Sequence, residues 1–428
     1  MAAWIVIALM VLVLSAVPVA AVLGLLSMGL DQVYMDGRLS RAMGEFIWDK
    51  QKEFILVAIP MFILLGEIML RAGVAQRMYN AVAQWLSWLP GGLMHANIGS
   101  CAIFAATSGS SVATAATVST VAYPEIEKRR YHEGLFLGSL AAGGTLGILI
   151  PPSINLIIYG LITDTSVPEL YLAGILPGLI LSSLFLLIII AASLLRPAWA
   201  GVKPKTSWAD RIRALPDLLP PILLFAAVVG SIYAGIATPT EAASIGVVFA
   251  LILAAWTGNL NFTMLRQAFE GTMRTTAMIM LIILAAVFLN FILGFIGVTQ
   301  ALVQFISDLG WTPLQTMIAL VVFYLILGMF METLSMLLTT VPVVFPLVVQ
   351  LGYDPVWFGV LITVLMETAL ITPPIGVNLY VVQGIRLRGG RFNDVAWGAT
   401  PFVLMMIAMI ALLIAFPNIA LYLPELVY

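Results

Sequence analysis

Apolar stretches long enough to cross a bilayer, roughly 18 residues or more, recur along this 428-residue chain, and two of them carry a double proline. They are Gly147-Ile148-Leu149-Ile150-Pro151-Pro152-Ser153 and Thr368-Ala369-Leu370-Ile371-Thr372-Pro373-Pro374, with the proline pairs 222 residues apart. Proline has no N–H and collides with the preceding turn, so a proline pair at membrane depth breaks a helix and strips carbonyls of their partners. Broken helices at matching places in two halves predict an internally repeated secondary transporter with its binding site at the breaks.

Hydrophobic residues make up 62% of the chain and charged ones 9%, and mean hydropathy is +1.08. A soluble domain carries roughly 25% charged residues, so the chain reads as one polytopic membrane unit over 1–428. Cys101 is the sole cysteine, and His95 and His132 lie far apart, which leaves no disulfide framework and no transition-metal cluster. No nucleic-acid partner is expected. Met1 to Leu30 lacks a basic leader region and is long for a signal peptide, so it reads as a retained first span.

Charged breaks delimit spans near 3–29, 54–70, 134–162, 170–195, 218–236, 241–257, 275–297, 355–384 and 396–423. Two further apolar stretches, 93–124 and 312–350, are interrupted by Thr107-Ser108-Gly109-Ser110-Ser111 and Met331-Glu332-Thr333-Leu334-Ser335. Such centres suit re-entrant hairpin tips rather than single crossings. With both as hairpins and the N-terminus cytoplasmic, only Arg38, Arg41, Lys50 and Lys52 of the 19 Lys and Arg residues fall outside, in agreement with the positive-inside rule. The C-terminus is then periplasmic.

The expected fold is an all-α polytopic membrane protein: an inverted repeat with two re-entrant helical hairpins and two broken helices. The first repeat covers 54–162 (hairpin 93–124, broken helix 134–162) and intervening spans with a cytoplasmic loop cover 163–274. The second repeat covers 275–385 (hairpin 312–350, broken helix 355–384), and 396–423 is the last span. The offset of the double prolines also relates Tyr123-Pro124 to Phe345-Pro346 and Ser110 to Glu332, while Gly73-Val74 pairs with Gly297-Val298. A third pair, Pro220-Pro221, shows that a double proline alone is a weak signal.

Ser108-Gly109-Ser110-Ser111 joins mobile backbone to hydroxyls, suiting a small hard cation; close helix packing is the blander reading. The break over 143–155 offers carbonyls before its prolines and a helix N-terminus, with Ser153 and Asn155, after them. The second half offers Gly328, Glu332, Thr333 and Ser335 at its tip, and Glu367, Thr368 and Ile371 to Asn378 at its break. An ionisable group inside a bilayer costs at least roughly 2.5–3.5 kcal/mol, so Glu332 and Glu367 read equally as ion-binding groups or as carboxyls bonded to backbone amides. Glu241 reads as half of a capping box, and Glu67 is open between structural and functional roles. Trp85, Trp88, Trp311 and Trp357 read as interfacial anchors, and an interfacial helix fits between Asp31 and Glu53. An anionic substrate would rest on helix N-termini, hydroxyls, Asn155 and Asn378, because no basic side chain sits at mid-membrane.

Those residues also carry a family resemblance. Ile59-Pro60-Met61-Phe62-Ile63-Leu64-Leu65-Gly66-Glu67, Ser108-Gly109-Ser110-Ser111, Ile150-Pro151-Pro152-Ser153, Ala237-Thr238-Pro239-Thr240-Glu241-Ala242-Ala243 and Thr372-Pro373-Pro374-Ile375-Gly376-Val377-Asn378-Leu379-Tyr380 resemble the DctM-like large permease subunit of TRAP (tripartite ATP-independent periplasmic) transporters. The resemblance implies a sodium-driven importer of organic acids in the bacterial inner membrane, moving as an elevator. It also implies a periplasmic substrate-binding protein (DctP-like) and a small four-helix membrane subunit (DctQ-like), expected as a separate polypeptide. Sodium sites carry over to Ser108, Gly109, Ser110, Ser111, Gly144, Thr145, Gly147 and Pro151, and to Gly328, Glu332, Thr333, Glu367, Thr368, Thr372 and Pro373. Substrate contacts are expected at Ser153, Asn155, Gly376 and Asn378. One departure is Ala113-Thr114-Ala115, where members often carry an acidic residue, so hydroxyl or carbonyl coordination is expected there. A stand-alone sodium/dicarboxylate symporter is the neighbouring alternative. An intramembrane hydrolase using Ser108 or Ser110 would need His95 as its base, and no phosphate-binding glycine loop supports ATP-driven transport.

Overall fold

The computed structural model describes residues 17–204, 206–386 and 389–428. The start of the span expected over 3–29, and the charges of Lys205 and Arg388, lie outside the described residues. All regular structure among the described residues is helical. In chain order the helices are α1 Val19–Met35, α2 Met43–Gln51, α3 Ala58–Arg71, α4 Val74–Leu86, α5 Leu93–Ser108, α6 Ser111–Ala122 and α7 Pro124–Arg129. Then follow α8 Glu133–Gly144, α9 Leu146–Leu149, α10 Ile154–Thr163, α11 Val167–Leu195, α12 Trp208–Tyr233, α13 Pro239–Trp256 and α14 Phe262–Ile296. The last are α15 Val298–Asp308, α16 Pro313–Leu327, α17 Thr333–Gln350, α18 Pro355–Leu370, α19 Val377–Gly384, α20 Phe392–Ala415 and α21 Asn418–Val427. Among the described residues, seven helices are long and apolar enough to cross a membrane, or eight if the pair bent by 41° at the first double proline counts as one.

Both interrupted stretches fold as helical hairpins, α5–α6 and α16–α17, and both double prolines separate helices, α9 from α10 and α18 from α19. Several helix starts have a local cause. Thr238 and Glu241 form the capping box of α13 (2.8 Å from Thr238 N to Glu241 Oε2), and Thr312 with Gln315 does the same for α16. Ser110 and Glu332, the pair related by the proline offset, cap α6 and α17 respectively.

Four features differ from the reading above. The amphipathic helices α4 and α15 were not anticipated, because each is too short for a span. The stretch expected as one span over 396–423 breaks at Phe416-Pro417, where proline cannot continue the ladder of α20. Helices α12 and α14 begin ten or more residues before the apolar runs that announced them, at starts capped by Ser207 and Asn261. Trp357 is no interfacial anchor: it is fully buried, stacks on Tyr353 at 5.0 Å and donates from Nε1 to the Leu413 carbonyl at 2.9 Å.

The helices pack in two groups. α3, α13 and α14 lie together, with α1 along α14 and α12 against α13 and α4. The hairpins and broken helices form the other group, flanked by α11 and α20. Within it, α8 crosses α20 where Gly134 and Gly138 meet Gly398 backbone to backbone, the close approach that small residues allow in membranes. Arg386, after α19, bridges to Glu133 at the start of α8 (2.6 Å) and to Asp394 in the first turn of α20 (3.3 Å). Any side chain at Gly138 would strike the Gly398 carbonyl. Gly138→Leu should therefore cost more than the roughly 1–3 kcal/mol of ordinary overpacking; an unchanged Tm of the detergent-solubilised protein would contradict this crossing.

Helix α8 is capped by a titratable group. His132 Nδ1 accepts from Leu135 N at 3.2 Å, and its ring stacks on Trp199 at 4.3 Å. Burial there and the Arg196 charge hold its pKa below the ordinary 6.5, with Glu133 opposing. The unfolded chain thus takes up the proton more readily, so His132's contribution is present above about 6.5 and is lost as the pH falls below it. Partial exposure keeps the step small. Tm should drop on acidification from pH 7.5 to 5.5, and the part owed to His132 should vanish in His132→Asn, a cap that does not titrate.

Candidate functional site

The first tip is shaped by three residue types in sequence. Gly109 closes α5 in the left-handed region (φ +60°), where a side chain would be strained. Ser110 then runs extended, and its hydroxyl accepts from Ala113 N at 3.4 Å. Ser108 Oγ shares a hydrogen bond with Thr114 Oγ1 at 2.9 Å. Thr114, at the departure from the family's acidic pattern, therefore steadies the tip through its hydroxyl.

This tip rests on the first broken helix through glycines. A Cβ at Gly147 would stand 2.7 Å from the Ser110 carbonyl, one at Gly144 would be 3.1 Å from that of Ser111, and one at Gly109 would be 2.9 Å from that of Pro152. Pro151 and Pro152 offer no N–H to the carbonyls of Gly147 and Ile148 one turn back. Thr145 turns its hydroxyl onto Ala142 O at 2.6 Å. Past the break Ser153 caps α10 through Leu156 N at 3.3 Å. Asn155 follows, 2% exposed, with its Nδ2 unpartnered.

The second tip repeats the scheme with different chemistry. Gly328 packs against Ala369 of α18, and Glu332 caps α17 by accepting from Ser335 N at 3.1 Å and from Thr333 Oγ1 at 3.2 Å. Glu332 is thus bonded to backbone, on a side chain that is exposed rather than buried. Thr368 and Thr372 donate along their own chain to Val364 O and Thr368 O, both at 2.7 Å. Pro373 is exposed and Gly376 starts α19 at φ +42°. Asn378 donates from Nδ2 to Ala141 O at 3.3 Å, leaving Oδ1 free.

One side-chain contact joins the halves at their centre. Ser111 Oγ donates to Glu367 Oε2 at 2.6 Å, across 256 residues. Glu367 is 1% exposed and its Oε1 has no partner.

Ser108 to Ser111, Asn155, Glu332 and Thr333 line one cavity of about 170 Å³ between the tips. Gly144, Thr145, Gly147, Pro151, Ser153, Gly328, Glu367, Thr368, Thr372, Pro373, Gly376 and Asn378 do not line it; several of them support its walls through the contacts above. The opposite wall belongs to the α3–α14 group, through Gly66, Glu67, Thr275 and Ile279. Glu67, left open by the sequence, forms an ion pair with Arg71, and Gly271 leaves room for its carboxylate, 2.8 Å from where a Cβ would lie. Thr275 was missed; hydroxyls at 272, 275 and 276 inside an apolar helix were the available signal. Among the described residues no Lys or Arg lines this cavity. A larger cavity of about 740 Å³, bounded by α2, the end of α10 and α14, holds none of the expected site residues.

His95 Nε2 lies 2.7 Å from the Pro90 carbonyl at the far end of α5, thirteen residues and so about 20 Å from Ser108. It cannot serve that hydroxyl as the base that a hydrolase using Ser108 would need. The hydroxyls and carboxylates of the lining, with the Asn155 amide, instead suit a hard cation or a hydrogen-bonding solute.

The family model described as tripartite ATP-independent periplasmic transporter, DctM component, matches residues 6–419. The chain belongs to that family. It is 34% identical to the C4-dicarboxylate TRAP transporter large permease protein of Rhodobacter capsulatus, over 88% of each chain. It is 33% identical to the ectoine TRAP transporter large permease of Halomonas elongata, and 31% identical to the sialic acid TRAP transporter large permease of Vibrio cholerae, each over 87% of both chains. In fold it resembles the YdaH transporter of Alcanivorax borkumensis, with TM-score 0.60 and 15% identity over 98% of this chain and 99% of that one. This TRAP large permease is thus an all-α, polytopic membrane component of a tripartite transport system, and its relatives are permeases rather than enzymes.

The cap assignment can be tested apart from transport. Glu332→Ala should destabilise the permease by roughly 0.5–2 kcal/mol, the usual loss of an N-cap, while Glu332→Ser keeps an accepting oxygen and most of the stability. Equal losses in ligand-free thermal unfolding would show that the carboxylate is no cap.

Proposed function

We propose that this permease imports a small organic acid by sodium symport, with the hairpins and broken helices moving as an elevator against the α3–α14 group. The carrying observation is the convergence of both tips and the buried, unpartnered Asn155 Nδ2 on one oxygen-lined cavity. An amide N–H without a partner at a helix start is a ready donor to a carboxylate. Hydroxyls of Ser108, Ser110 and Thr333, with the carbonyls freed before Pro151 and Pro373, would hold the cations; each cation offsets substrate charge that no basic side chain balances. Substrate contacts then fall to Ser153, Asn155, Gly376 and Asn378.

Gly66 packs on the Ser108 carbonyl, 2.9 Å from its Cβ position, so little side-chain bulk opposes sliding at that point of the boundary. The organic-acid class is supported by relatives named for C4-dicarboxylates and sialic acid. The working assembly adds a small four-helix DctQ-like subunit and a periplasmic DctP-like binding protein, in the bacterial inner membrane with the N-terminus cytoplasmic and the C-terminus periplasmic.

In proteoliposomes holding the complete transporter, an inward sodium gradient should drive uptake of the acid that the binding protein delivers, with no ATP. Ser110→Phe and Thr333→Trp should each reduce sodium-dependent uptake at least about tenfold, equivalent to 1.4 kcal/mol, in protein that stays folded. Sodium-independent uptake by the wild type, or full uptake without the binding protein, would sink the proposal.

A further inference from the structure

The last turn of α18 touches both tips at once. Ala369 meets Gly328 of the second tip, and two residues earlier Glu367 takes the hydroxyl of Ser111 from the first tip at 2.6 Å. Ser111 and Glu367 are each 1% exposed. Ser111 is held in turn by the first break, where its carbonyl lies over Gly144. Ordering the first tip therefore sets the position of the hydroxyl, and the hydroxyl sets the rotamer of Glu367 in the second half.

Glu367 has no slack in this arrangement. Its Oε1 has no partner, so displacing Ser111 would leave the whole buried carboxyl without a hydrogen bond, a state that buried polar groups avoid. The misplaced tip and the misplaced α18 turn are thus disfavoured together. A cation that orders one tip lowers the cost of ordering the other, which is a coupling free energy between two sites.

We infer that Glu367 is a positioning residue that, through Ser111, makes sodium binding at the two half-sites cooperative. This rests on the sodium-symport reading above. The coupling is of the usual size for linked sites, roughly 5–150-fold in affinity, and it is reciprocal.

The test is a sodium titration of the purified, detergent-solubilised protein at constant ionic strength with choline, read as Tm and as tryptophan fluorescence. The wild type should respond with a Hill coefficient above 1, its ceiling being the number of coupled sites. Ser111→Ala and Glu367→Ala should bring the coefficient to about 1 and raise the midpoint at least about fivefold. Glu367→Gln, whose amide oxygen still accepts from Ser111, should keep the wild-type coefficient. Should Ser111→Ala fail to fold, the Glu367→Ala and Glu367→Gln pair decides alone. A wild-type coefficient in Glu367→Ala overturns the inference; so does a Gln variant as impaired as the Ala one, since the carboxylate charge would then be a direct ligand. A wild type blind to sodium overturns the symport reading, and this inference with it.

Discussion

Everything distinctive in this permease follows from one constraint: backbone freed from a helix at membrane depth must be satisfied by protein, because lipid offers no partner. The two tips and the two double-proline breaks each create such backbone. The first tip lies on the first broken helix, so that one interruption covers another, and the second tip packs through Gly328 on Ala369 just ahead of the second break. Glycines at 109, 144, 147 and 328 make this approach close enough, since any Cβ there would meet a carbonyl or a methyl of the facing segment. The prolines decide where the helices break, and the glycines decide what lies against the break.

Polar side chains then take positions that the backbone leaves them. Ser110, Ser153 and Glu332 are first of all caps, each answering the orphan amides of a helix start. Their oxygens retain lone pairs for a ligand, so capping and binding are compatible in one group. Glu332 differs from Ser110 at the equivalent position in reach and charge, and its exposed side chain turns that charge toward the cavity. The two tips are thus alike in construction and unlike in chemistry.

Much of this was legible because proline, glycine and charge are local signals. The hairpin tips followed from Ser108-Gly109-Ser110-Ser111 and from the Glu332 interruption, and the breaks from the proline pairs. What escaped was whatever depends on a neighbour in space. Trp357 lies near a span end in sequence, yet the fold around Leu413 and Tyr353 makes it core. Thr275 had only a weak local signal, the hydroxyls clustered at 272, 275 and 276, and these do not tell which of them faces the cavity. Glu67 was readable only as a carboxylate in a span; that it faces the tips across the groove depends on Gly271 clearing the space. Asn155 was read as a substrate contact from its place after a break, and its lack of any internal partner is what gives that reading physical content.

The two helix groups meet on different terms from those that hold the hairpin group together. Inside that group, Ser111 to Glu367, Asn378 to Ala141 and Arg386 to Glu133 are directional bonds joining the first half to the second. Breaking either of the first two would strand a buried partner, the Glu367 carboxyl or the Asn378 amide, whereas Arg386 would keep Asp394 and Gln383. At the boundary with α3 and α14, the contacts include a glycine against the Ser108 carbonyl and a cavity wall. Packing of small residues loses little when its register changes, whereas a buried hydrogen bond is either made or lost.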